Sequence, residues 1–391
     1  MMNKQTRIFH LVNFWSYINL GVTYWEAFWR ISRPLAYPAN VDVILTKACN
    51  LRCIFCIAYS SLREVQWMPF DLYERIAAEL FPRAYGVFIC SGGEPFLYPR
   101  LREALSLARH FRTRTTVTTN GTLIDEKIAA WLVKDQSLNE MYISFDGARK
   151  ETLEKIRRGA KYETILKNLE CLSSLKRKAA AVYPRMMFRF VAMKSNVHEL
   201  PEMIDLCARY GLYKLVVKYL NASNSIDPDE SLFNHPKLTQ RAFDETRRKA
   251  EEKGVHLELP PLPGTHASSR RCVSPWNFVQ IDADGAIRFC YSGWRQRIGF
   301  FDDGFKSIWR GKHYARIRRT LYSRAPYYPY CRYCLIPDGY RTQATREGEV
   351  GPEAYVIPGL ENLLVQFTDR VAENASSFRE LKEGLEQRSS H

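Results

Sequence analysis

The central part of this chain is predicted to be an α/β fold built on a parallel sheet, and three observations predict it. Short β-rich runs alternate with helical stretches through six repeats, the pattern of strands joined by helical crossovers. A cysteine triplet follows the first of these runs directly, on the side where barrels of parallel strands carry their chemistry. The chain has 391 residues, of which 46% are hydrophobic, enough for two domains and a sizeable core.

The elements follow in order. Residues 8–25 contain no Lys, Arg, Asp or Glu and are heavily aromatic. Leu11, Trp15, Ile18, Val22, Trp25 and Trp29 fall at alternating four- and three-residue spacing, the stripe of an amphipathic helix. Phe14, Tyr17, Tyr24 and Phe28 widen that face, and Asn13, Ser16, Asn19, Thr23 and Arg30 form the opposite edge. Such a helix either packs on the protein's own core or lies in a membrane interface, with its Trp and Tyr at headgroup level. Two asparagines make it a poor spanning helix. Pro34 and Pro38 mark a linker. Strands are predicted at Val41–Thr46, Gly86–Cys90, Thr115–Thr118, Met141–Phe145, Met186–Met193 and Tyr213–Tyr219. Helices are predicted around 70–80, 99–111, 125–134, 161–178 and 198–210. The long polar loop after the sixth strand, NASNSIDPDESLFNHP, has the length of a lid or a substrate-binding element. Asp284-Gly285 between two β-like runs predicts a hairpin. The resulting division is an N-terminal aromatic segment (1–37), a core (38–235), a connecting helix (236–262), a C-terminal cysteine module (263–345) and a charged tail (346–391), broken first by Pro352 and Pro358.

The formal charge is +15 and the pI about 9.3, which favours an anionic partner such as nucleic acid, acidic lipid or a phosphorylated substrate. Seven of the ten cysteines fall at metal-ligand spacings, so a reducing, cytoplasmic setting is expected, peripheral at the inner membrane surface on the interface reading of the aromatic helix. The basic start MMNKQTR leads to no small-residue cleavage site, so no cleavable signal is expected. Cys90, Cys171 and Cys207 stand apart in apolar settings and read as core residues.

Residues 49–56, CNLRCIFC, place Cys49, Cys53 and Cys56 on one short loop. Three soft thiolates suit an iron–sulfur cluster or zinc. Three ligands for a four-iron cube leave one iron open, as catalytic metal sites are. The second strand ends in Cys90-Ser91-Gly92-Gly93-Glu94-Pro95, whose glycines let backbone approach a ligand and whose Glu94 can accept from an ammonium group. Together these motifs resemble the signature of the radical S-adenosylmethionine (SAM) superfamily. The resemblance implies a partial, open (β/α)6 barrel and a 4Fe–4S cluster whose free iron chelates SAM. It also implies reductive cleavage of SAM to a 5′-deoxyadenosyl radical that takes hydrogen from substrate, and an external electron donor such as a flavodoxin or ferredoxin. It places Phe55, Gly92, Gly93, Glu94, Ser144, Asp146 and Arg158 around SAM, with Arg157 as the alternative to Arg158. Thr119-Asn120-Gly121 resembles a common family turn and reads equally as an ordinary one. Arg189, Lys218 and Tyr219 are candidate substrate contacts, because a cation within an apolar strand needs a partner or a ligand.

Cys272 and Cys290 bracket the hairpin, and Cys331 and Cys334 add a C-x2-C pair. Four cysteines complete a closed site, which suits a zinc ribbon, a dithiol motif or a second cluster. The runs CVSPW, VQIDADGAIRFC, IGFFDDGFKSIW and CRYC resemble the auxiliary-cluster domain called SPASM, in its shortened single-cluster form, twitch. That resemblance implies a second 4Fe–4S cluster, accepting an electron from the substrate radical or shaping the barrel. The expected substrate is a hydroxylated small molecule, a saccharide or a lipid-linked compound that is oxidised or epimerised. A peptide-modifying maturase is the first alternative, and the short N-terminal segment, about half a peptide-recognition module, weighs against it. An RNA-binding or RNA-modifying protein would use the charge but lacks a recognised module. An electron carrier would not explain an open three-cysteine site.

Overall fold

The computed structural model describes residues 13–56, 67–90, 92–220, 226–263, 272–291, 296–328, 331, 334–335 and 340–341. All of these except Cys272 belong to one compact unit. Leu11, Ser91, residues 221–225 of the loop after the sixth strand, the side chain of Cys334 and the tail beyond 345 lie outside the described residues.

Among the described residues, ten strands form one sheet: β1 (Asn40–Val43), β2 (Gly86–Ile89), β3 (Arg114–Thr119), β4 (Glu140–Ser144), β5 (Arg185–Ala192), β6 (Lys214–Tyr219), β7 (His256–Glu258), β8 (Phe278–Ile281), β9 (Ala286–Arg288) and β10 (Gly299–Phe300). Their order is β10-β9-β8-β1-β2-β3-β4-β5-β6-β7. β1 through β7 pair in parallel with their neighbours. Helices Phe70–Leu80, Leu101–His110, Glu126–Asp135, Tyr162–Lys178, Leu200–Tyr210 and Pro236–Lys253 make the crossovers. This is the partial barrel of the sequence reading, an open sheet that runs from β10 to β7 without closing.

Two features lie beyond that reading. β7 adds a seventh parallel strand, too short and too charged (His256-Leu257-Glu258) to stand out as a β-rich run. The predicted hairpin is present as β8–β9, with Gly285 at φ +81° in its turn, but β8 also pairs in parallel with β1. The C-terminal module therefore continues the barrel's own sheet.

Alternation along the strands separates two rows. The outward row, including Val41, Val87, Val117, Ile143, Phe188 and Val217, is fully buried under the helices. The inward row is polar and only half-buried in places: Thr118, Tyr142, Ser144, Arg189 and Lys218. Cys207 is a core residue as expected, whereas Cys90 sits on the inward side, its Sγ donating to Thr116 O at 3.6 Å.

The N-terminal helix, Phe14–Phe28, does not pack its aromatic stripe on the protein's own core, the first of the two readings. Its buried residues are Ser16, Asn19, Leu20, Thr23, Glu26 and Ala27, so the mostly polar edge faces inward. Asn19 donates to Tyr37 O (2.9 Å) and Arg83 O (3.1 Å) and accepts from Tyr37 N (3.0 Å). Buried Glu26 accepts from the backbone N–H groups of Leu35 (2.6 Å) and Ala36 (3.2 Å). An aromatic stripe signals that a helix has two faces but not which one the body takes. Here the body offers unpaired backbone groups of the linker and of 82–83, and only polar side chains can satisfy those.

Buried Arg318 ties this end together. It donates to Pro275 O (2.8 Å), Trp309 O (2.7 Å) and Ser32 O (3.2 Å), and it lies over the rings of Trp309 and Tyr314. Burial pulls its pKa down to about 9, so it stays charged at neutral pH. Arg318→Leu leaves two buried carbonyls and a partly buried one without these donors, at a cost on the order of 3 kcal/mol. We expect a clearly lower thermal unfolding midpoint for that variant, against almost no change for Arg319→Leu at the exposed neighbouring position, by calorimetry of the two proteins.

Candidate active site at the cysteine loop

Cys49, Cys53 and Cys56 follow β1 on a loop that has neighbours on two sides. On one side, Gly93 N donates to Thr46 O (2.8 Å) and Glu94 N to Ala48 O (2.7 Å), which fastens the strip after β2 to the residues before Cys49. A Cβ on Gly93 would lie 1.9 Å from Ala48 O, and one on Gly92, at φ +88°, 2.5 Å from Ile44 Cγ2. Both glycines are demanded by this approach. On the other side, Arg52 N donates to Arg158 O (2.9 Å) and Ile54 N to Ile156 O (3.0 Å).

Glu94 is buried, and its carboxylate holds the end of β3. It accepts from Thr119 Oγ1 (2.7 Å), Asn120 N (2.7 Å) and Phe96 N (3.2 Å). Burial raises it to about 7, against the lowering effect of these hydrogen bonds and of Arg157. Asn120 in turn donates to Asn50 Oδ1 (2.8 Å), and Asn50 donates to Thr122 Oγ1 (2.8 Å). The Thr119-Asn120-Gly121 turn is thus the strut between Glu94 and the cysteine loop. Asn50 was not singled out in the sequence, and only its place beside Cys49 could have marked it.

Arg157, not Arg158, reaches the site. Arg157 is buried, pairs with Asp146 at 2.6 Å and donates to Cys53 Sγ at 3.7 Å. Its guanidinium lies 5.8 Å from the Phe55 ring centre. Arg158 is exposed and contributes its carbonyl to the loop. The two are adjacent in sequence, and the turn after the short helix Lys150–Ile156 decides which one points inward. Asp146 also accepts from Val191 N at 2.7 Å, so it braces β4 against β5 as well as holding Arg157.

The three thiols suit a four-iron cube. Burial raises the Cys49 thiol and takes that of Cys53 to about 11, and the neighbouring thiols of the loop add to both rises. Thiols so placed become thiolates when a metal displaces their protons, and Arg157 stands ready to offset the charge. Among the described residues no three His, Cys, Asp or Glu side chains converge on one metal ion. Soft thiolates on one loop, with the Arg157 guanidinium beside Cys53 to balance their charge, are a donor set that such a cluster takes. At the second cysteine group, buried Cys290 and half-buried Cys331 both neighbour Tyr328, which burial and then Tyr327, Cys331 and Cys290 push to about 12.

Inside the barrel Arg189 lies over the Tyr142 ring at 4.5 Å and donates to Thr118 Oγ1 at 3.5 Å. Its Nε is buried and makes no hydrogen bond among the described residues. Ser144 pairs in register with Arg189 on the same inward row. Lys218 pairs with Glu258 at 3.1 Å, so the ion pair expected for an in-strand cation accounts for it. Tyr219 points the other way: its hydroxyl donates to Pro261 O (2.8 Å) and its ring packs on Phe233 and Phe243. It falls one residue off the inward register, and this corrects its reading as a substrate contact.

Arg157→Gln should lower 5′-deoxyadenosine formation from SAM by about tenfold or more, as loss of a group behind metal ligands does. Arg158→Gln should stay within about twofold, as exposed substitutions do. Both are read on anaerobically reconstituted protein. Glu94→Gln sets an amide N–H against the backbone N–H of Asn120 or of Phe96, at about 1–3 kcal/mol, and should lower both the unfolding midpoint and the iron retained per chain.

The pattern of the radical SAM superfamily matches residues 43–207, and that of an iron–sulfur cluster-binding domain, SPASM, matches residues 272–335. The Fe-coproporphyrin III synthase of Methanosarcina barkeri is 28% identical over 246 residues, 61% of this chain and 57% of that protein. The mycofactocin maturase MftC of Mycolicibacterium smegmatis is 24% identical over 290 residues, 72% of each chain. The crystal structure of Streptococcus suis SuiB bound to S-adenosylmethionine aligns with a TM-score of 0.61 at 18% identity, over 73% of this chain and 68% of that one. The cofactors of this assignment are SAM and a 4Fe–4S cluster, with an auxiliary iron–sulfur cluster belonging to the SPASM domain. With its cysteine loop, its glycine strip and its half-open parallel barrel continued by a cysteine module, the chain belongs to the radical SAM superfamily and carries a SPASM domain.

Proposed function

We propose that this protein is a peptide-modifying radical SAM maturase, taking hydrogen from a residue of a peptide or protein substrate held in the barrel mouth. The observation that carries the reading is that a maturase, MftC, aligns through 72% of both chains, so its likeness runs beyond the barrel core. SuiB, whose fold this chain shares, has also been crystallised with its precursor peptide SuiA. These relatives favour a peptide over the hydroxylated small molecule or saccharide expected from the sequence. The synthase relative, by contrast, is matched over only 57% of its length.

Cys49, Cys53 and Cys56 would hold the catalytic cluster, and Cys272, Cys290, Cys331 and Cys334 the auxiliary one. When bound, the first cluster and SAM supply a radical able to take hydrogen from an unactivated carbon. The chain's own work is placement. Gly92 and Gly93 bring bare backbone to the loop, and Glu94 locks that backbone to β3. Phe55 and Arg157 frame the other side. Thr118, Tyr142 and the partly unsatisfied guanidinium of Arg189 present donors suited to backbone carbonyls or a carboxylate of an amide-rich substrate.

The reading is tested with an extract of the source cells, divided by ultrafiltration into a small-molecule pool and a peptide pool. Each pool is added to the reconstituted, dithionite-reduced enzyme, and 5′-deoxyadenosine formation is followed. Stimulation by the peptide pool that pepsin digestion removes is the expected result. Stimulation by the small-molecule pool that survives digestion would overturn it.

A further inference from the structure

The outward face of the N-terminal helix has no use in the chemistry above. Phe14, Trp15, Ile18, Trp25, Phe28 and Trp29 are all exposed, five of them by 60% or more of their surface. A contiguous aromatic face of this kind marks an interaction site rather than scattered surface apolarity. Its direction is fixed from behind, because Asn19 and Glu26 are buried and spend their hydrogen bonds on the linker backbone. Rotating the helix to hide the aromatics would strand both groups without partners.

We propose that this face lies on an anionic lipid bilayer, the helix resting in the plane of the interface. Charge decides between lipid and protein as the occupant. Between residues 1 and 40 the only acidic residue is Glu26, and it faces inward; Lys4, Arg7, Arg30 and Arg33 are the cations of the same stretch. Arg30 and Arg33 are exposed at one end of the helix, and at the other end exposed Arg112 stands beside Asn13, whose N–H meets its carbonyl. Aromatic residues flanked by exposed arginines, with no outward carboxylate, match an apolar interface bordered by anionic headgroups. Trp and Tyr prefer that depth because one part of the ring is apolar and another donates a hydrogen bond. No helix among the described residues is long and apolar enough to cross a membrane, and a helix lying flat has no such need. The inference holds whatever the substrate is.

The test is co-sedimentation of the full chain with vesicles of phosphatidylcholine alone and of phosphatidylcholine mixed with phosphatidylserine. A Trp15/Trp25/Trp29→Ala variant and an Arg30/Arg33→Glu variant are run beside the wild type. Unchanged SAM cleavage certifies that both variants are folded. The wild type should partition at least about tenfold better onto the anionic vesicles, with a blue shift of tryptophan emission, and high salt should weaken the binding. Either variant should lose most of that partition. Wild type that stays in solution with anionic vesicles, or a tryptophan variant that binds undiminished, would overturn the proposal. So would a concentration-dependent dimer of the wild type that the tryptophan variant abolishes without vesicle binding, since the face would then be a self-association surface.

Discussion

The active site depends on one close approach, that of Gly92–Glu94 to the backbone just ahead of Cys49. Two backbone hydrogen bonds, to Thr46 and Ala48, set the starting point of the cysteine loop. Nothing larger than glycine fits there. A buried carboxylate one residue on then fixes the strip to the end of β3. Burying that charge is unfavourable, and three hydrogen bonds offset the cost. The loop that carries the thiols is therefore positioned by parallel strands and does not rely on its own conformation. Preorganisation of this sort is what a site needs when its ligands must meet a cofactor without rearranging.

The C-terminal module is fastened to the same place. Asp42 of β1 accepts from Gln280 of β8 at 2.8 Å. Asp282 binds Arg288 at 2.6 Å and Lys47, two residues before Cys49, at 3.0 Å. Burial alone would raise Asp282, but the two cations outweigh it and hold the carboxyl below its ordinary range. Ligand loop, barrel and auxiliary module share one hydrogen-bonded sheet, so displacement of one is felt by the others.

Much of this was legible in the chain itself, where the signal is local. Cysteine spacing is local, so the triplet Cys49, Cys53 and Cys56 stood out at once. The runs that became β2 to β6 differ from their predicted limits by at most one residue at either end, because their outward rows, Thr115 and Thr119 of β3 apart, are apolar. What could not be read depends on groups far apart in sequence. Arg157 and Arg158 are chemically alike, and only packing chooses between them. Lys218 and Tyr219 differ by one step of strand register, and the apolar flanks of β6 hide which of them faces the lumen. The N-terminal helix announced an apolar stripe, yet the binding partners of its polar edge lie at Arg83 and in the linker. β7 is three residues long and carries two polar ones.

The pairing of β1 with β8 has a consequence for how the chain is made. Gln280 and Asp42 stand 238 positions apart, and until β8 emerges one edge of β1 has no neighbour. At a translation rate of roughly 5–20 residues per second, that edge waits about 12 to 48 s on the ribosome. A bare parallel edge rich in valine is an aggregation template during that interval. Nascent chains of this protein therefore have a reason to be held by a chaperone until β8 has emerged, and a product truncated ahead of β8 would keep the hazard for its lifetime.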